Sequence, residues 1–164
     1  MPFVHLPGYA EDLGLTSVQG ALFVVALGSG GLIGRLFIGW FTETVGHLWA
    51  LTVTLIVQVI SYLAIIQGSE FEFLLLMTCL LGLGVGSTSV QFNAFVPDIF
   101  GRAYVGAISG FIFAIAGGAA AIGPYLAGFV RDVTGSFEGA FWFGAVVNAI
   151  GLCFVWFIRK PGRN

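Results

Sequence analysis

Arg35 sits in an otherwise uncharged apolar run from about Val18 to Phe41. An ionised side chain near the middle of a membrane span costs at least about 2.5–3.5 kcal/mol, so its retention there points to function. A guanidinium can grip a carboxylate through two parallel hydrogen bonds. The plainer alternative is snorkelling, with the stem along lipid and the head at the headgroups. The neighbours favour an interior position. Gly31 and Gly28 lie one and two turns behind Arg35 on its face, and Gly39 lies one turn ahead. Trp40, beyond it, suits the interfacial anchor. A face of small residues fits a watery cavity or a bound anion better than lipid chains.

Other polar groups are fewer. His5 stands alone near the N-terminus; alone it reads as a structural hydrogen-bonding residue, and beside an anion it could carry a proton. Ser87-Thr88-Ser89-Val90-Gln91-Phe92-Asn93 is a polar patch inside an apolar run. Its amides and hydroxyls need partners or water at that depth, so they form either a cavity wall or interhelical hydrogen bonds. Asn148 has the same two options. Cys79 and Cys153 fall inside apolar runs and read as reduced, buried thiols. No nucleophile with a base, no carboxylate pair, no phosphate loop and no metal-ligand cluster stands out. No enzyme activity, cofactor or metal is therefore expected.

The elements that carry these residues follow from composition. Of 164 residues, 58% are hydrophobic and 9% charged, against roughly 25% charged in a soluble domain. Six basic and eight acidic residues cannot cover a soluble surface, and a net charge of -2 leaves no footprint for nucleic acid. The solvent is lipid. Apolar runs at about 18–41, 48–66, 71–96, 103–130 and 140–158 are each long enough to span a bilayer, and only helices satisfy their backbones there. Residues 1–8 read as the last turns of another helix, stopped at Pro7-Gly8. Pro97-Asp98 should stop the third span, and Thr42 to His47 should form a polar turn. Arg102, Arg159, Lys160 and Arg163 share one side while Arg131 stands on the other, which puts the C-terminus in the cytoplasm.

Glycine spacing predicts close helix packing. Gly106, Gly110, Ala114, Gly117, Ala121, Pro124 and Gly128 form a small-residue stripe on the fourth span, which should let a neighbouring backbone approach. Gly30 with Gly34, and Gly82 with Gly86, are shorter versions that read as ordinary helix packing.

Four stretches resemble the C-terminal half of a major facilitator superfamily transporter, closest to its monocarboxylate-transporter and oxalate/formate-antiporter branches. They are Phe3-Val4-His5-Leu6 with Tyr9 to Gly14, then Gly34-Arg35-Leu36 with Gly39, then Val96 to Arg102 with Gly106. The fourth is Gly123 to Gly128 followed by Asp132, Thr134-Gly135-Ser136 and Phe141. The resemblance implies an all-α membrane bundle, the C-terminal six-helix half of the fold with its first helix truncated. It also implies two halves rocking about a central site. It matches Arg35 to the arginine that holds the substrate carboxylate and His5 to a site position, and it brings Cys153 toward the site. Gln91 and Asn93 of the polar patch would line the route. An acid common in the branch one turn before the arginine is replaced by Gly31, so His5 or the absent half would have to carry a coupled proton. The turn after the first span lacks the superfamily's usual arginines.

The expected function is secondary transport of a small organic anion, a monocarboxylate, with a proton as possible partner. The chain should act with its missing N-terminal half in a lipid bilayer, the bacterial inner membrane. The competing expectation is a non-transporting membrane module that packs against a partner through its glycine stripes.

Overall fold

The computed structural model describes residues 2–101 and 103–157; the side chains of residues 2–5 and 98–100 lie outside that description. The described residues form six helices: α1 (Pro2–Asp12), α2 (Ser17–Val45), α3 (His47–Gln67), α4 (Phe71–Phe100), α5 (Val105–Thr134) and α6 (Glu138–Phe157). Five of them, α2 to α6, are long and apolar enough to cross a membrane. Arg102, Arg159, Lys160 and Arg163, on which the charge asymmetry mostly rests, lie outside the described residues.

Local chemistry sets the helix ends. Thr16 and Gln19 form a reciprocal cap at the start of α2: the Gln19 amide side chain accepts from the Thr16 N–H at 2.9 Å, and the Thr16 hydroxyl accepts from the Gln19 N–H at 3.4 Å. At the other end the expected polar turn shrinks to one residue. Thr42 to Val45 stay helical, and Gly46, at φ 83°, both ends α2 and opens α3. Its N–H donates to Thr42 O at 2.8 Å and its carbonyl accepts from Ala50 N–H at 3.0 Å. Only glycine takes that φ without strain.

Two expected stops are overrun. α1 continues through Pro7 and Gly8 to Asp12. Proline there removes one helix bond, but Leu6, Tyr9 and Ala10 are buried in the core and Gly8 packs against the Phe137 ring, so tertiary burial outweighs the lost bond. α4 likewise runs through Pro97 to Phe100. In an apolar solvent, abandoning the helix would expose several backbone groups where proline costs one.

The main core lies where α1, α2, α3, α4 and α6 meet, around Phe23, Leu27, Ile65, Leu74, Leu81 and Phe141. Tyr9 stands edge-on to Phe141 at 4.9 Å and donates its hydroxyl to Ile65 O at 3.1 Å, tying α1 to α6 and α3. α3 packs between α4 and α6.

The closest helix contact is α2 against α4. A Cβ at Gly30, Gly34, Gly82 or Gly86 would press into a backbone carbonyl of the facing helix. The α5 stripe behaves otherwise. Gly106, Gly110, Gly117 and Gly128 have no neighbour within 4 Å, and among α5 residues Ala127 is the buried one. Among the described residues, then, no backbone is drawn against that stripe: the helices flanking α5 touch it sparsely, and the short glycine pairs make the tight seam. The cysteine expectation is corrected. Both thiols are free, but Cys79 is only half-buried and Cys153 is exposed.

Candidate functional site

The α2–α4 seam fixes the orientation of Arg35. Gly30 and Gly34 face α4, so Arg35, rotated roughly 100° from Gly34 about the helix, is turned to the margin of the contact. It is exposed, as are Gly28 and Gly39 on the same face, and no atom of another helix crowds either glycine. The face is therefore small and exposed; the packed interior setting expected from the residue types is not present among the described residues.

Register brings part of the polar patch to the same depth. Leu27 meets Gly82 and Gly31 meets Gly86, so α2 and α4 run parallel in step. One further turn sets Arg35 level with Val90, with Ser89 and Asn93 exposed beside it on α4. The Asn93 amide donates to Ser89 O at 3.2 Å, which leaves its Oδ1 available as an acceptor.

Gln91 turns the other way. Its Nε2 donates to Thr54 Oγ1 on α3 at 2.7 Å, and Gln58 Nε2 donates to Thr88 Oγ1 at 2.7 Å one turn away. Thr54 commits its own hydroxyl hydrogen to Ala50 O, so it can only accept from Gln91. That sets the Gln91 amide with nitrogen toward Thr54, and its buried Oε1 has no partner among the described residues. The patch thus divides by helix face. Ser87, Thr88 and Gln91 make interhelical hydrogen bonds, while Ser89 and Asn93 stay on the open side. Thr54 and Gln58 escaped notice in the sequence, although two polar residues four apart in an apolar span were the available signal.

A cleft of about 370 Å³ opens where α2, α3 and α4 converge near Gly46. Gly39, one turn past Arg35, borders it with Thr42, Glu43, His47, Val90 and Gln91. His47 stands edge-on to Phe95 at 6.0 Å.

The remaining expected residues are not gathered there. The His5 side chain lies outside the described residues. Cys153 is exposed on α6, which packs on α3 and α5 and makes no contact with α2 among the described residues. Asn148 is half-buried and its amide nitrogen donates to Gly144 O of its own helix at 2.8 Å. At the opposite end from Gly46, Arg131 pairs with Asp12 at 2.8 Å and lies 4.8 Å over the Phe137 ring.

Comparison with known proteins gives one family. A family model described as Major Facilitator Superfamily matches residues 1–164. Monocarboxylate transporter 12 of Mus musculus is 24% identical over 99% of the chain, and monocarboxylate transporter 11 of Homo sapiens is 29% identical over 86% of it. The hexuronate transporter of Bacillus subtilis (strain 168) is 36% identical over 44% of the chain. The chain spans about a third of the length of the two monocarboxylate transporters, 35% and 32%, and 17% of the hexuronate transporter.

Proposed function

Because the chain belongs to the Major Facilitator Superfamily, we propose that it forms the C-terminal part of a transporter that moves a small organic anion, a monocarboxylate, by alternating access. The single observation that carries this reading is an exposed arginine in the middle of a 29-residue apolar helix, on a face kept bare by Gly28 and Gly39. A charge so placed needs a counter-charge or water, and a carboxylate meets the guanidinium with paired hydrogen bonds. The names of the relatives agree in chemistry: monocarboxylate and hexuronate both denote carboxylates.

In this reading Arg35 holds the carboxylate and Asn93 accepts from a donor on the substrate. Gln91 braces the site from behind through Thr54. The cleft at Gly39, Glu43 and His47 is the path away from the site toward the cytoplasm. His5 is a proton carrier or a further site residue. Cys153 is left out, since α6 does not touch α2. The open face of α2 and the bare stripe of α5 receive the N-terminal half, which absorbs the partner-module alternative into the same architecture. The protein is multi-pass, and we place it in the bacterial inner membrane with its C-terminus in the cytoplasm.

The test is uptake of labelled lactate, pyruvate and galacturonate by cells expressing the complete transporter that contains this chain. Arg35→Ala should cut uptake of the transported acid at least tenfold with protein in the membrane unchanged. Wild-type rates in Arg35→Ala would overturn the carboxylate role.

A further inference from the structure

Hydroxyls in these helices usually bond backward to their own backbone. Thr88 donates to Gly84 O at 2.9 Å, Ser89 to Gly86 O at 2.7 Å, Thr52 to Leu48 O at 2.8 Å and Ser61 to Val57 O at 2.8 Å. Ser87 departs from this habit. Its hydroxyl crosses from α4 to α2 and donates to Gly34 O at 3.2 Å, and the side chain is 2% exposed.

That carbonyl belongs to the peptide bond joining Gly34 to Arg35. The peptide unit is planar, so the Gly34 oxygen and the Arg35 nitrogen and Cα move as one body. A hydrogen bond to the oxygen from a second helix therefore adds to the helix's own restraint on the Cα from which the Arg35 side chain departs. The bond forms because Gly34 has no Cβ: one there would meet Leu83 O and the Ser87 hydroxyl itself. Gly86, next to Ser87, faces Gly31 in the same way, so the seam is closed on both sides of the bond.

We propose that Ser87 is a positioning residue, which holds the Gly34–Arg35 peptide plane against α4 and so aims the guanidinium at the substrate carboxylate. The proposal rests on the carboxylate role of Arg35 proposed above. Ser87 itself is buried in the seam and is given no contact with substrate. Binding through a bidentate arginine demands tight geometry, so small rotations of its Cα weaken the grip.

The test is a double-mutant cycle on substrate uptake, in cells expressing the complete transporter, with membrane protein quantified. Ser87→Ala should raise KM for the transported acid by about three- to tenfold, the scale of one hydrogen bond, with Vmax per transporter unchanged. Ser87→Cys, of similar volume and with a weaker donor, should fall between. In an Arg35→Lys background, Ser87→Ala should add no further rise. Loss of protein or Vmax at constant KM in both Ser87 variants would make the bond mere packing and overturn the proposal. A full KM rise persisting beside Arg35→Lys would also overturn it, because Ser87 would then act independently of the arginine. Unchanged uptake in Arg35→Lys and Arg35→Ala, by contrast, would overturn the carboxylate reading first and identify that as the failed step.

Discussion

At the scale of single residues, Gln91 and Thr54 separate support from contact. Both are buried, and the pair is asymmetric: Thr54 can be satisfied by Ala50 alone, whereas Gln91 keeps an Oε1 unpaired among the described residues even with Thr54 present. Gln91→Leu removes one hydrogen bond together with a buried orphan acceptor, so stability in detergent should change by no more than about 1 kcal/mol. Thr54→Val keeps the shape but strands the Gln91 amide nitrogen, at a cost of about 1–3 kcal/mol. Thermal unfolding of the two variants checks the ordering, and equal losses would contradict it. Arg35 was legible in the sequence because charge inside an apolar run is rare and costly. The division of its polar neighbours was not. Ser87, Ser89, Gln91 and Asn93 are all polar letters in one heptad-length stretch, and only the contact made by each face tells support from lining.

Among helices, the glycines form two populations. A Cβ on those in the α2–α4 seam would meet backbone; on the α5 stripe it would meet nothing within 4 Å among the described residues. Gly86→Ala should therefore force the helices apart and destabilise by about 1–3 kcal/mol, typical of overpacking. Gly117→Ala should be neutral or stabilising by up to about 1 kcal/mol within this chain, since alanine is the better helix former. Melting temperatures in detergent, compared for the pair, provide the check. A drop for Gly117→Ala equal to that for Gly86→Ala would mean that α5 packs as tightly as α2. Spacing in the sequence ranked the stripes the other way, because the α5 run is longer and more regular. Stripe length records how much small surface a helix offers, and the presence of a facing helix decides whether it is used.

At the scale of the molecule, helix order alternates the ends across the bilayer. Asp12, Glu70, Arg131 and Glu138 fall at one end, while Gly46 and its flanking helix ends fall at the other. With the proposed orientation the first group faces outward. In a Cys79→Ser/Cys153→Ser background, Glu70→Cys should react with a membrane-impermeant maleimide on intact cells, and Thr44→Cys only after permeabilisation. The reverse pattern would invert the topology. The Arg131–Asp12 pair is exposed at this outer end and holds α1 against α5; such surface pairs contribute little, so Asp12→Asn should leave the melting temperature nearly unchanged.

Composition and run length were enough to define a lipid-solvated bundle of five spans, because burying that much apolar chain without charge leaves no alternative, and backbone satisfaction then demands helices. The rare charge within a span was legible on the same energetic ground. Helix ends at Pro7 and Pro97 were not, since the local cost of proline is a few bonds at most and burial or the apolar solvent overrode it. The tight seam, the Gln91–Thr54 pair and the Ser87 bond to the Gly34 carbonyl depend on which backbone lies opposite which face. That is a property of helices brought together from distant parts of the chain, and no local spacing encodes it.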